Sequence, residues 1–157
     1  MNQNEFRFTA VILLGLLAAP VAAFAAGSDS TPEPAQVDSY KKAKELVDDE
    51  EYAKAIPLLQ KSIKEKGEYA DALNLLGFSN RKLGDKAKAM TYYTKALNME
   101  PQHLGANEYM GELYLELNDL PKAQARLAVL KSACGDCDEY EDLEEAIDDY
   151  KKEHGLS

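Results

Sequence analysis

The chain has 157 residues, with 18 Lys and Arg against 28 Asp and Glu, and a formal net charge of −10. One domain is the natural expectation at this length. So acidic a balance argues against a nucleic-acid partner, which needs clustered Lys and Arg, and against a surface held to anionic lipid.

The first segment reads as an address. Arg7 is the one cation of residues 1–9, and Glu5 offsets it. An apolar run over 10–19 stops at Pro20, and Ala23-Phe24-Ala25 has the small-x-small spacing of a signal-peptidase site. The pattern predicts a secretory signal over 1–25, cleaved after Ala25. The apolar run is about half of the roughly 20 residues a spanning helix needs. No Lys/Arg cluster follows it, so no stable membrane insertion of the mature chain is expected. The weakly basic start and short apolar core point to bacterial export into the periplasm, an oxidising compartment. Residues 26–36 are small and polar with two prolines, a composition that predicts a disordered linker.

From residue 37 the apolar spacing is helical, with no strand-like alternation. It predicts helices over about 38–49, 52–65, 70–83, 86–99, 104–117 and 121–132. Ala55, Ala89 and Ala123 are each 34 residues apart. Ala43, Gly77 and Gly111 keep that spacing, and so do Leu59, Tyr93 and Leu127. Small and apolar residues in one register at this period mark a helix–turn–helix repeat. Gly84-Asp85 and Asn118-Asp119 fall at the turns of the second and third units, and Asp48-Asp49-Glu50 at that of the first. Gly and Asn tolerate the left-handed conformation, and Asp caps the helix that follows. Pro57 lies inside the second helix, where the lost donor predicts a local bend.

The middle unit reads Leu73-x2-Leu76-Gly77-x2-Asn80, then Ala89-x3-Tyr93, Ala96 and Pro101. The third reads Asn107-x2-Met110-Gly111-x2-Tyr114, then Ala123-x3-Leu127, with Gly135 where a proline would stand. The first reads Ser39-x2-Lys42-Ala43-x2-Leu46, then Ala55-x3-Leu59. This pattern resembles the tetratricopeptide repeat family over about residues 37–135. Asn80 departs from it, where the family prefers Tyr. The resemblance implies an all-α, right-handed superhelical solenoid of three units, about 37–69, 70–103 and 104–135.

Residues 134–157 hold ten Asp and Glu against two Lys, so the acidity is local. Tyr140, Leu143, Ile147 and Tyr150 recur at spacings of 3, 4 and 3, which makes one apolar stripe. Asp138 with Glu141 suggests a capping box, and His154-Gly155 a stop. The segment 136–157 is therefore expected to be an acidic helix that caps the array. A cation-binding or partner-steering acidic face is the functional alternative. Cys134-Gly135-Asp136-Cys137 lies in the turn before it. Export and an even Cys count favour a disulfide between Cys134 and Cys137. A redox pair, a metal site and an inert reduced pair stay open.

In the family, the first helix of each unit lines an inner groove. By repeat position the inward side chains are Tyr40, Lys44 and Val47, then Asn74, Phe78 and Arg81, then Glu108, Glu112 and Leu115. Such a surface suits a peptide or an amphipathic helix held by a few apolar anchors and oriented by charge. Neither His103 nor His154 has a nucleophile at a motif spacing, and no Gly-rich phosphate loop occurs. No catalytic residue, metal ligand or cofactor is assigned. The expected function is a non-enzymatic peptide-binding adaptor or assembly scaffold in the bacterial envelope, with a homodimer over the first helix as an option. The alternative is a thiol-redox or metal-handling accessory protein that uses Cys134 and Cys137.

Overall fold

The computed structural model describes residues 38–156. The expected signal and linker lie outside the described residues. Seven helices follow one another: Ser39–Asp48 (α1), Tyr52–Lys66 (α2), Ala70–Lys82 (α3), Lys86–Met99 (α4), Leu104–Glu116 (α5), Leu120–Ala133 (α6) and Asp138–Glu153 (α7). No strand occurs among the described residues. For the first six helices, each end falls within one residue of its expected position. α2 runs through Pro57 without interruption.

The turn inside each hairpin closes on one residue in the left-handed region: Glu50 (φ 60°), Gly84 (φ 86°) and Asn118 (φ 60°). These three positions are again 34 apart. Glycine adopts this conformation freely, whereas a side chain there costs about 1–2 kcal/mol. The next residue caps the second helix. Asp85 accepts the N–H of Lys88 at 3.1 Å, and Asp119 accepts that of Lys122 at 3.2 Å. Glu51 holds this place in the first hairpin and makes no side-chain cap. The first hairpin thus lacks both the glycine and the Asp cap.

The hairpins α1–α2, α3–α4 and α5–α6 are the most intimate pairs, and each packs on the next through its second helix. Close approach is set at one register position. In the first hairpin Ala43 meets Leu59 within a cluster that includes Leu76. In the second, Gly77 meets the ring of Tyr93. A Cβ on Gly77 would stand 2.5 Å from Cε1 and 2.6 Å from Cδ1 of that buried ring. The third hairpin breaks the rule. Leu127 is only half-buried, and the space over Gly111 is filled by Leu143 of α7, whose Cδ2 lies 2.5 Å from where a Cβ would be.

Helix α7 starts 34 residues after α5, which starts 34 after α3. It therefore keeps the register of a first helix. Unlike α3 and α5, it leans more on the first helix of the preceding unit, α5, than on the second, α6. Tyr140, Leu143 and Ile147 form its buried stripe, packed with Leu115, Ala123 and Leu130. The expected capping box is not made. Cys137 is the cap residue and offers no side-chain hydrogen bond. Asp138, Glu139 and Glu141 instead lie within the first turn, where negative charge meets the positive end of the helix dipole. The Cys134 and Cys137 sulfurs stand at disulfide distance, 2.06 Å, in the turn that launches α7.

Two departures from the repeat pattern have local reasons. The buried Asn80 amide donates to the Leu76 carbonyl at 2.7 Å. Asn107, fully buried, donates to the carbonyls of Pro101 and His103 at 3.1 and 2.9 Å and accepts from Arg126 of α6 at 3.2 Å. It ties the start of α5 to the preceding turn and to its own partner helix.

Replacing Gly77 by Ala gains at most about 1 kcal/mol of helix propensity, but overpacking the Tyr93 ring costs about 1–3 kcal/mol. Urea unfolding should therefore show Gly77→Ala to be less stable than the parent. The double variant Gly77→Ala/Tyr93→Leu copies the Ala43–Leu59 pairing of the first hairpin. It should recover more than half of the loss.

Candidate functional site

The first helices α1, α3 and α5 share a face, and on it lies a cleft of about 400 Å³. Lys44, Val47 and Asp48 of α1 form one wall, with Glu50 and Tyr52 at its end. Leu75, Phe78 and Lys82 of α3 form the floor, and Tyr109 of α5 the far wall. Three aromatic rings run across it. Tyr52 meets Phe78 edge-on at 5.8 Å between centroids, and Phe78 meets Tyr109 at 4.6 Å. Such contacts add about 0.5–1.5 kcal/mol beyond area burial, so the wall is shaped before a ligand arrives. The Lys82 ammonium lies 5.2 Å from the Phe78 centroid and makes no ion pair among the described residues. Lys44 pairs with Asp48 at 3.3 Å on the exposed rim.

Next to the cleft, α3, α5 and α7 enclose a charged corner. Arg81 is only 9% exposed. It pairs with Glu112 and, at 3.0 Å, with Glu116. Its guanidinium also lies 5.6 and 5.8 Å from the Phe78 and Tyr109 centroids. Burial works against the charge, but the carboxylates outweigh it, Glu112 first, and hold Arg81 above its ordinary value. Arg81, expected to face the groove, is thus already matched inside the protein. Glu108 is 6% exposed. Burial is the main cause that pushes its carboxyl up to about 8, and Glu112, Asp142 and Glu139 add to it, while Arg81 opposes. The Tyr109 hydroxyl is likewise raised to about 12, by burial first and then by Glu108 and Glu112.

The sequence-predicted residues therefore separate. Lys44, Val47 and Phe78 share the cleft. Arg81, Glu108 and Glu112 form the corner beside it. Tyr40 packs edge-on against Tyr69 at 5.6 Å instead of lining the cleft. Asn74 is buried, with its Oδ1 unpartnered among the described residues. Leu115 is 8% exposed and belongs to the core beneath α7. It is not an open anchor, because α7 leans onto α5 at that point. Sequence reasoning missed Tyr52, Leu75, Lys82 and Tyr109. Leu75 and Tyr109 are 34 residues apart, so the register position next to Asn74 and Glu108 carried the signal.

The Glu108 carboxyl has a pH consequence. Its folded-state value lies above that of an exposed glutamate, so between about 4.5 and 8 the folded chain holds a proton that the unfolded chain releases. Stability from this group therefore falls as pH rises through that window and levels off above it. Glu108→Gln keeps the shape of the protonated acid. Thermal melts should show it several degrees more stable than the parent at pH 8 and nearly equal to it at pH 4.5.

A family model described as tetratricopeptide repeat matches residues 80–147. That span runs from the end of α3 into α7, so the match includes part of the acidic last helix. No curated protein matches the sequence. Among solved structures, the chain is similar to the type III secretion translocator chaperone SycD of Yersinia enterocolitica, with a TM-score of 0.65 and 15% identity over 75% of this chain and 84% of that one. It is also similar to the same chaperone in complex with a peptide of the translocator YopD, with a TM-score of 0.62 and 15% identity over 74% and 92% of the two chains. At this identity the likeness concerns the fold. Residues 80–147 thus match the tetratricopeptide repeat, within an all-α array of helical hairpins across the described residues.

Proposed function

We propose that this chain is a non-enzymatic adaptor or chaperone-like protein that holds an extended or helical segment of another protein on the face formed by α1, α3 and α5. The observation that carries this reading is the preformed aromatic cleft of Tyr52, Phe78 and Tyr109, flanked by Lys44 and Lys82. The slot joins aromatic and aliphatic side chains to four charged ones, Lys44, Asp48, Glu50 and Lys82, and a concave surface of that kind takes up apolar anchor residues and orients them by charge. A solved structure of similar fold holds a peptide of its translocator, which supports the same use of the fold here. Away from the cleft, α1 is exposed at Lys41, Lys42 and Glu45, and the reading is for a single chain.

The place of action proposed is the bacterial periplasm, supported by the apolar run over 10–19 and Ala23-Phe24-Ala25. In that compartment Cys134 and Cys137 would be joined as a staple that fixes how α7 leaves α6. A bridge closing so short a loop contributes about 2 kcal/mol or less in the chain-entropy model.

A photo-crosslinker placed at Lys82 should give a discrete adduct in periplasmic extract, and the same reagent at exposed Gln60 of α2 should not. Phe78→Ala should lower yield of the Lys82 adduct about tenfold or more, in keeping with loss of a central anchor, with helicity unchanged. An adduct of equal yield in Phe78→Ala would remove the cleft from the reading. Intact mass of the exported protein, alkylated without reductant, should correspond to a chain that starts at Ala26 and carries no label on Cys134 or Cys137. Full labelling would remove the staple.

A further inference from the structure

The Glu108 residue is more than nine-tenths buried, and no hydrogen bond or ion pair to its side chain is found among the described residues. The charges that act on it come from every element around it. On its own helix α5 stands Glu112, already committed to Arg81; on α3 stands Arg81 itself; on α7 stand Glu139 and Asp142. Arg81 faces Glu112 and Glu116 at contact distance, Lys86 also pairs with Glu116 at 3.0 Å, and no ion pair reaches Glu108, Glu139 or Asp142 among the described residues. Such a group is expensive to keep buried unless it is neutralised or paired. The next residue on α5, Tyr109, is the far wall of the aromatic cleft and packs against Phe78.

The geometry points to a two-part recognition site: an apolar side chain of the bound segment fills the cleft at Phe78 and Tyr109, and a Lys or Arg side chain beside it enters the corner of Glu108, Glu139 and Asp142. The inference rests on the proposed use of the cleft and adds the chemistry of the partner, an apolar-basic motif. Charge complementarity selects the cation, since a neutral residue leaves the corner unmatched and an acidic one is repelled. No group of His, Cys, Asp or Glu side chains among the described residues is arranged to hold a metal ion, so the corner is not a preformed metal cage.

Recognition of this kind is linked to pH. The free Glu108 carboxyl, raised to about 8, is mostly protonated at neutral pH. An entering guanidinium favours the ionised form, so a proton leaves as the peptide binds. Affinity for a basic peptide then rises with pH, by at most tenfold per pH unit, and levels off above the free-state value. The same peptide with Gln in place of Arg shows no such rise.

The test uses fluorescent peptides of ten residues, blocked at both ends, with one Leu and one Arg separated by zero to four Gly or Ser. Matched peptides carry Gln or Glu in place of Arg. Binding to the full mature chain is read by anisotropy at pH 6.5, 7.5 and 8.5. At the best spacing the Arg peptide should bind more tightly than the Gln peptide, and the ratio should grow roughly tenfold between pH 6.5 and pH 8.5. Glu108→Gln should keep the ratio flat across that range, and Glu139→Gln/Asp142→Asn should shrink it at every pH. Binding that Phe78→Ala abolishes, but with no Arg preference or with a ratio that Glu108→Gln leaves unchanged, overturns this inference and leaves the cleft reading standing. Failure of every peptide to bind overturns both. Calcium chloride alone, titrated by calorimetry, should give no saturable heat at millimolar concentration. Stoichiometric uptake that Glu108→Gln abolishes assigns the corner to a metal ion and overturns the inference.

Discussion

The array stands on one steric constraint: at a single position of each first helix, the neighbouring helix must be able to enter. Ala43 admits Leu59 and Gly77 admits the ring of Tyr93. The smaller the residue on the first helix, the larger the side chain the second can drive into it, and the total volume at the contact is conserved. Close packing makes that exchange obligatory, because interiors tolerate neither a methyl-sized void nor a methyl-sized excess. The spacing between helices then fixes where α1, α3 and α5 face, and with it the width of the cleft between Tyr52 and Tyr109.

The third hairpin shows what happens when the exchange is not completed within a unit. Gly111 leaves a full-sized hole, and Leu127 of α6 stays half-buried. α7 supplies Leu143 instead and is drawn across α5 as a consequence. That one substitution of partner has two effects. It buries Leu115, which by repeat position belongs to the open face. It also brings Glu139 and Asp142 close enough to act on Glu108, so the acidic surface of the last helix borders the proposed recognition face.

Local chemistry made the hairpins readable in advance. Gly84, Asn118 and the run Asp48-Asp49-Glu50 mark chain reversals that depend on a left-handed residue at one position, and small residues at 43, 77 and 111 mark helix contacts. Both are properties of single positions, which a period of 34 displays directly. The tilt of α7 was not readable, because it depends on a contact between Gly111 and Leu143 that the period does not define. Leu143 shares its register with Leu75 and Tyr109, which line the cleft, yet it turns into the core. The groove residues were readable only in part for the same reason. Phe78 and Lys44 follow from repeat position alone. Arg81 does too, but whether its charge is free depends on Glu112 and Glu116 one helix away. A side chain's availability is a property of its neighbours.

Charge on this chain is therefore better understood as matched and unmatched than as acidic overall. Most ion pairs are exposed and short-range, such as Lys42–Glu45, Lys44–Asp48 and Lys152–Asp149, and pairs of that kind contribute little to stability. The Arg81 pairs differ because the guanidinium is buried beside two aromatic rings, where removal of either charge strands the other. Arg81 holds α3 to α5 beneath the cleft, and in doing so it cannot also neutralise Glu108. Arg81 and Lys82 stand side by side on the middle helix, but Lys82 lies over the Phe78 ring, so of the two Arg81 alone meets the carboxylates of α5. A carboxyl left protonated inside a fold costs less than one left ionised. Glu108 can therefore stay neutral while the corner is empty, and the proposed entry of a cation would couple occupancy to proton release.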